Sequence, residues 1–544
     1  MPRKDVFGIP IGMWALSMLY ALIGILLRAF YIDYEGVRQI AAVSEGFSRA
    51  STTWWSGHSV LGVALLWLAM LPLRFTPLLD AAQIISALSV WASGLMLFRI
   101  LRLVGLPVGL SGWLTFLFYA SNVAWVSATM LPVASLALLL MGWWMLSAIR
   151  WLAQREPDAS GGVRLGILGG VVALVNLFSL IAVLAAGILA LRRGVGAGLI
   201  GAAIGVTLIG YLAVYFALLP AQVQVNGALR PKPALTEWFW TGEGATAIDA
   251  PRYSSVYWRS IGEQAQNFLL ALGRPFRVRD VYQYYLGGAF ITLIKGAFLL
   301  MTLIVVIVLI TIRVSGERVA TDRLVDAVRG VGGLSLMLAL LTLVAWQGDR
   351  QAMYLWTLFW ALVGLGGWLG SYYEEDARRI GYVAPPLVII MLVFGLMKAA
   401  DLRSIEHDGE RQEAEAVSTG VREGDTLIAA TRLAEWLRYY TAGKAQVIDS
   451  SSWLQPETDF QALLQAAQQG SGRIILWDYA LEPDIYQRAN LTHNPQWLES
   501  LGKAQQQARD AGGAYLRRYA NLVVYPTLMV QPRGEVQTFG ARRN

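Results

Sequence analysis

The chain has 544 residues, 56% of them hydrophobic and only 15% charged, with a formal net charge of +7. A soluble domain is roughly a quarter charged, so this composition excludes a water-soluble chain over most of its length and makes the bilayer its solvent. With no cysteine and only three scattered histidines (His58, His407, His493), disulfides, iron–sulfur clusters, thiolate metal sites and bis-histidine haem are excluded as well.

Charges are sparse up to about residue 400 and dense from Asp401 onward. This predicts a polytopic all-α membrane domain over 1–400, an acidic, polar linker over 401–424 and a small C-terminal α/β soluble domain over 425–544. Met1-Pro-Arg-Lys before the first apolar run reads as a cytoplasmic start followed by a signal-anchor helix. Apolar runs long enough to cross lie at 8–30, 80–100, 110–130, 132–151, 195–219, 285–312, 331–347, 352–370 and 381–400. Two stretches are ambiguous. Residues 59–78 are broken by Pro72, Arg74 and Pro77, and 165–191 is long for one upright span and short for two.

Arginine placement arbitrates, because basic residues collect on the cytoplasmic side. Arg99 and Arg102, Arg150 to Arg164, Arg192-Arg193, Arg313 to Arg329 and Arg378-Arg379 all fall inside if 59–78 dips without crossing and 165–191 is a pair of short helices. That gives about 11 transmembrane helices, with the N-terminus in the cytoplasm and the C-terminal domain outside. The other solution, in which 59–78 crosses and 165–191 is one span, keeps the count and moves two arginine clusters outside. The expected location is a prokaryotic plasma membrane. The basic excess is then a matter of topology, with the lipid bilayer as partner and no nucleic acid. Either solution places the loops 31–58 and 220–283, the turn 347–351 and the tail on one non-cytoplasmic face.

The tail alternates strand-like runs at Thr426-Leu-Ile-Ala, Ala445-Gln-Val-Ile and Arg473-Ile-Ile-Leu-Trp with helical patterns at 431–440 and 457–469, and Leu522-Val-Val-Tyr reads as a late strand.

The first outside loop carries Asp33-Tyr-Glu35 just beyond the first membrane helix. Acids at a membrane boundary are often simply solvated. In a site, one carboxylate takes a proton from an acceptor hydroxyl, and a second orients the acceptor or holds a divalent metal ion, the one cofactor the pattern leaves open. An amphipathic stretch from Gly36 to Phe47 follows, suited to the headgroup plane, then Trp54-Trp55, suited to the interface, and His58, a packing or hydrogen-bonding histidine as readily as a ligand.

Taken in order, these features resemble the GT-C superfamily of membrane glycosyltransferases. They run from the apolar helix through the outside Asp-x-Glu, the amphipathic helix and His58-Ser-Val-Leu-Gly to Pro72 and a helix opening Ala-Gln-Ile-Ile-Ser-Ala-Leu. The nearest resemblance is to the protein O-mannosyltransferase-like group, where His-Pro-Pro-Gly stands in place of His58-Ser-Val-Leu-Gly. The run from Gly166 to Ser179 is similar to the paired short helices of that superfamily, with Asn176 where a lysine often stands. Asp349-Arg350-Gln-Ala-Met-Tyr354 resembles its late Arg-Tyr element.

The resemblance implies a polyprenyl-phosphate-linked sugar donor, a protein or glycan acceptor, and inverting displacement with Asp33 as base beside Glu35. Arg350 is the first candidate for gripping the leaving phosphate, because guanidinium meets phosphate bidentately. Tyr354, Arg252, Arg259, His58 and Asn176 complete the candidate binding set. The same 220–283 loop also offers Arg274, Arg277 and Arg279, and the aromatics Trp238, Trp240, Tyr253, Tyr257 and Trp258 suit sugar stacking or interfacial anchoring equally. Two other readings stay open: a lipid or solute transporter or flippase, for which no internal repeat is found, and a non-catalytic subunit of a membrane assembly.

Overall fold

The computed structural model describes residues 5–6, 9–26, 34–47, 54–55, 59–130, 132–225, 228–232, 234–235, 288–315, 322–345, 350–372, 374–403, 408–453, 455–469, 474–488, 494–510, 527–530 and 536–539. In chain order the helices of the first part are α1 (Ile11–Leu26), α2 (Tyr34–Glu45), α3 (Gly62–Met70), α4 (Leu78–Leu103), α5 (Val108–Ala120), α6 (Asn122–Met130), α7 (Pro132–Leu152), α8 (Ala159–Val175), α9 (Ser179–Leu191) and α10 (Gly196–Ala213). They continue as α11 (Gly288–Ser315), α12 (Arg323–Ala345), α13 (Arg350–Leu369) and α14 (Glu374–Arg403). Four helical stretches, 78–103, 132–152, 196–218 and 323–342, are by length and composition able to cross a membrane among the described residues, and several shorter apolar helices accompany them. The chain divides into two compact units. One is Met1–Ala29, Leu68–Tyr211 and Ile261–Arg403; the other is Phe30–Trp67, Leu212–Ser260 and Ser404–Asn544.

In the first unit the helices are joined by close approach and buried polar contacts, as membrane helices must be where lipid is as apolar as leucine. Gln83 on α4 donates to the Thr129 carbonyl of α6 at 3.1 Å, and Ser86 to that of Ser127 at 2.6 Å. Ser135 of α7 donates to the same Ser127 carbonyl at 2.9 Å. Residues 110–130, expected as one span, form two helices. Ser121 turns extended, its hydroxyl donates to the Phe118 carbonyl at 2.7 Å, and its Oγ accepts from the Ala124 amide at 3.2 Å, so one serine closes α5 and opens α6. Residues 165–191 fall in α8 and α9, broken at 176–178.

The arginine-bearing helix ends of this unit meet. Arg193 after α9 donates to the Leu152 carbonyl at the end of α7, and Arg323 at the start of α12 to the Arg155 carbonyl at 2.7 Å. Residues at three of the arginine clusters, 150–164, 192–193 and 313–329, are thus in contact.

The second unit contains a hairpin of β3 (Gln222–Val225) and β4 (Ala228–Pro231); two residue pairs at 5–6 and 9–10 form β1 and β2 in the first unit. Its sheet comprises β5 (Thr426–Ala429), β6 (Gln446–Asp449), β7 (Ile474–Trp477), β8 (Thr527–Val530) and β9 (Val536–Phe539) in the order β6-β5-β7-β8-β9. The first three strands are parallel, with Leu427 opposite both Val447 and Ile475, and β8 and β9 run antiparallel. Parallel neighbours need crossover helices, and α16 (Thr431–Thr441) and α17 (Pro456–Gln469) supply them; α15 (Gly409–Ser418) precedes, and α18 (Pro483–Arg488) and α19 (Pro495–Asp510) follow. All four residues of β7 are buried, the continuous apolar run that a strand covered on both faces requires. The strand run expected at 522–525 lies outside the described residues.

Within 401–424, which reads as linker, α15 is helical and tied down. Asp408 caps it by accepting from the Arg411 amide at 3.1 Å, and Glu413 accepts from the buried Trp477 indole at 2.7 Å. An acidic, polar stretch can be a packed helix when its carboxylates find donors on the domain beside it, and composition does not register those donors.

Candidate active site

The loop helix α2 begins at Tyr34, the residue after Asp33, and carries Glu35 in its first turn. Asp33, His58, Arg252, Arg259, the other loop arginines and aromatics, and Asp349 lie outside the described residues, and the Glu35 and Arg350 side chains are likewise not described. The support of α2, by contrast, is fully visible.

The apolar face of α2 does not lie open to headgroups. Val37, Ile40, Ala41 and Ala42 are buried, and the helix packs along α16 within the second unit. α16 is therefore covered on several sides, by α2, by α15 and by β5 and β6. Its Leu433, Ala434, Trp436 and Leu437 are all 0% exposed.

Charged groups are buried in this seam. Arg438 of α16 makes a fork-to-fork pair with Glu45 at the end of α2, Nε to Oε1 at 2.8 Å and Nη2 to Oε2 at 2.7 Å, and its Nη1 donates to Glu435 at 3.0 Å. Such bidentate pairs fix orientation as well as attraction. The Arg438 side chain is 4% exposed and that of Glu435 0%. Burial pushes the Glu435 carboxyl up to about 7 against the opposing pull of Arg438 and of the buried Arg38 on α2. Removing one member would leave a buried charge uncompensated, which costs more than the pair itself contributes.

The far end of α2 is closed by glycine and tryptophan. Gly46 takes φ +85°, a left-handed stop that suits glycine after a helix. The Trp54 indole donates to the Ala42 and Gly46 carbonyls at 3.2 and 3.1 Å, satisfying acceptors that a helix end leaves open. Trp54 and Trp55, expected at the membrane interface, are 2% and 6% exposed and pack edge-on to Phe47. They are spent inside the unit because a helix terminus and a neighbouring ring offered them partners.

Behind α16, Asp449 at the end of β6 accepts from the Thr431 amide and from Ser451, both backbone contacts at 2.9 Å, and burial raises its carboxyl. Thr431 stands at φ +52°, an unusual conformation for a β-branched residue, which this bond holds at the start of α16. At the start of the domain Arg432 ion-pairs with Asp408 and with Glu410, the latter at 2.7 Å, and burial takes the Asp408 carboxyl to about 6.

In the first unit, Arg350 opens α13 and Tyr354 follows one turn later, so the two occupy neighbouring positions on one helix face. Tyr354 is buried, at 4% exposed. Asn176 is also buried, between α8 and α9, and its Oδ1 accepts from the Phe178 amide at 3.0 Å, which fixes the break between those helices. Among the described residues no group of three His, Cys, Asp or Glu is placed to hold a metal ion.

The sequence did not point to Arg438, Glu435, Glu45 or Arg38. The i, i+3 spacing of Arg432, Glu435 and Arg438 was the one local signal, and it fits any solvated helix face. Their partnership spans 393 positions, beyond any motif.

No family model matches the chain, and no curated protein matches it. Solved structures that share its architecture include ArnT from Cupriavidus metallidurans bound to undecaprenyl phosphate, with TM-score 0.52 and 10% identity over 89% of this chain and 95% of that one. The apo state of the same protein matches with TM-score 0.51 and 10% identity over 89% and 94%. Identity this low speaks of fold alone, and nearly the full length of both chains takes part. The chain thus shares the fold of these structures.

Proposed function

We propose that this protein is an integral membrane glycosyltransferase that moves a sugar from a polyprenyl-phosphate-linked donor to a protein or glycan acceptor on the non-cytoplasmic face. The observation that carries the reading is the likeness to ArnT bound to undecaprenyl phosphate over 89% of the chain, joined to an Asp-x-Glu pair directly after the first apolar helix. The membrane part covers 1–400 in about 11 crossings, and the α/β domain over 425–544 stands outside.

The chemistry assigned to these residues is an inverting displacement. Asp33 takes the proton of the acceptor hydroxyl as the acceptor oxygen bonds to the anomeric carbon. The bond from that carbon to the phosphate oxygen breaks, and the polyprenyl phosphate leaves with one more negative charge. Arg350 neutralises that charge, and Tyr354, His58, Arg252 and Arg259 contribute to binding. α2 matters because its first turn adjoins the base. The Arg438–Glu45 pair and Trp54 hold that helix at its other end, so the soluble domain positions the catalytic loop.

The test is turnover of purified full-length protein with a panel of undecaprenyl-phosphate-linked sugars, following release of undecaprenyl phosphate by mass spectrometry. Asp33→Asn is expected to lower turnover by about 10²–10⁴-fold, the usual contribution of a positioned base, with an unchanged melting midpoint. Retained turnover would remove Asp33 as the base. No release from any donor by the folded wild type would count against the transferase reading itself.

A further inference from the structure

Between the end of α9 and the first turns of α12 runs a groove of about 590 Å³ that the proposed sugar chemistry does not use. Arg192, Arg193, Arg329 and Asp326 line it, together with apolar side chains that include Leu189 and Met337. Three guanidinium groups face one carboxylate. Asp326 pairs with Arg329 at 2.8 Å, with side chains 46% and 42% exposed for Arg329 and Asp326, a solvated pair of small worth that leaves the mouth cationic. Arg193 spends one nitrogen on the Leu152 carbonyl, and Arg192, which caps the end of α9, makes no ion pair among the described residues.

The groove also has a direction. Met337 lies eight residues beyond Arg329 on α12, about 12 Å farther along the helix axis at the usual rise. Met337 is 51% exposed, so the apolar wall stays open along this length. Gly333 lies between them, and a methyl group added there would meet nothing within 4 Å, so the space beside the helix is free. A cationic mouth at a helix end, continued by an open apolar wall one acyl segment long, fits an amphiphile and exceeds what a soluble anion needs.

The geometry points to a binding site for an anionic phospholipid in the leaflet on the arginine-rich side. Its phosphate is gripped by Arg192, Arg193 and Arg329, and one acyl chain lies along Leu189 and Met337 past Gly333. Arginine suits the task because its planar fork meets two phosphate oxygens at once and stays charged at hydrocarbon depth. The site stands apart from sugar transfer, so its fate does not depend on that reading.

The experiment is native mass spectrometry of the full-length protein in detergent, titrated with phosphatidylglycerol or with phosphatidylcholine of the same acyl chains. Wild type is expected to retain phosphatidylglycerol about tenfold more strongly than phosphatidylcholine. The triple change Arg192→Gln, Arg193→Gln, Arg329→Gln is expected to remove that preference. Gly333→Phe, which fills the groove and keeps every arginine, is expected to lower phosphatidylglycerol retention as well, and it decides the matter if the triple variant does not fold. Excess inorganic phosphate is expected to leave the lipid adducts in place. Equal retention of the two lipids by wild type would overturn the site, as would an undiminished preference in Gly333→Phe. Displacement of phosphatidylglycerol by inorganic phosphate would make it a site for soluble anions and overturn the lipid assignment.

Discussion

Glu435 is a carboxylate with no access to water, held between Arg438 of its own helix and Arg38 of α2, with Glu45 and Asp449 near enough to add repulsion. Burial outweighs the two arginines and lifts its titration from the ordinary 4.5 to about 7. A carboxyl raised in the folded state favours folding while it can stay protonated, so its contribution is complete below the ordinary value and is lost as pH rises through about 7. Asp408, raised to about 6, adds in the same sense. The melting midpoint of the full-length protein in detergent is therefore expected to fall by a few degrees between about pH 5 and pH 8, with a smaller fall in Glu435→Gln. A midpoint that climbs over this range, or an identical slope in the variant, would contradict the assignment. None of this was legible beforehand. Asp33 and Glu35 stood out because two acids beside an apolar run are rare, whereas a glutamate in a polar helix of the tail is ordinary.

At the scale of elements, periodicity told which face of α2 is apolar and left open what covers it. Lipid headgroups and a protein helix satisfy the same pattern, and α16, some 400 positions later, is the partner that took the place. Glycine supplies the other lesson. α12 and α13 pack closely because Gly332 faces Gly364, and a methyl group on Gly332 would collide with the Gly364 backbone. Small residues at such a crossing let membrane helices approach to backbone contact. Gly332→Ala is expected to destabilise by about 1–3 kcal/mol, read as a lowered melting midpoint, although alanine is the better helix former. Gly201→Ala on α10, where an added methyl group meets nothing within 4 Å, is the control and is expected to leave the midpoint unchanged or raised. Equal effects at the two positions would show that the crossing is not tight.

For the molecule as a whole, the proposed topology makes a prediction that the missing cysteines render easy to test. Single cysteines at Glu156 and Lys444, both exposed, belong on opposite sides of the membrane under that topology. In intact cells a membrane-impermeant maleimide is expected to label Lys444→Cys, and Glu156→Cys only after permeabilisation. The reverse pattern would put Asp33 on the cytoplasmic side and dissolve the proposed site. Three of the arginine-rich segments behind this topology are in contact, through Arg193 with the end of α7 and Arg323 with the Arg155 carbonyl.

The sequence by itself determined the solvent of the chain, because apolar length and sparse charge act locally and leave no alternative to the bilayer. It also determined the strands β5, β6 and β7 and the crossover helices between them, whose β-branched runs and amphipathic spacing are readable within a dozen residues. Only the tertiary structure decided what covers α2, where Trp54 and Trp55 spend their surfaces, and that Arg438 reaches Glu45. Those outcomes depend on which donor and which apolar face arrive at the same place, and they are settled between residues hundreds of positions apart.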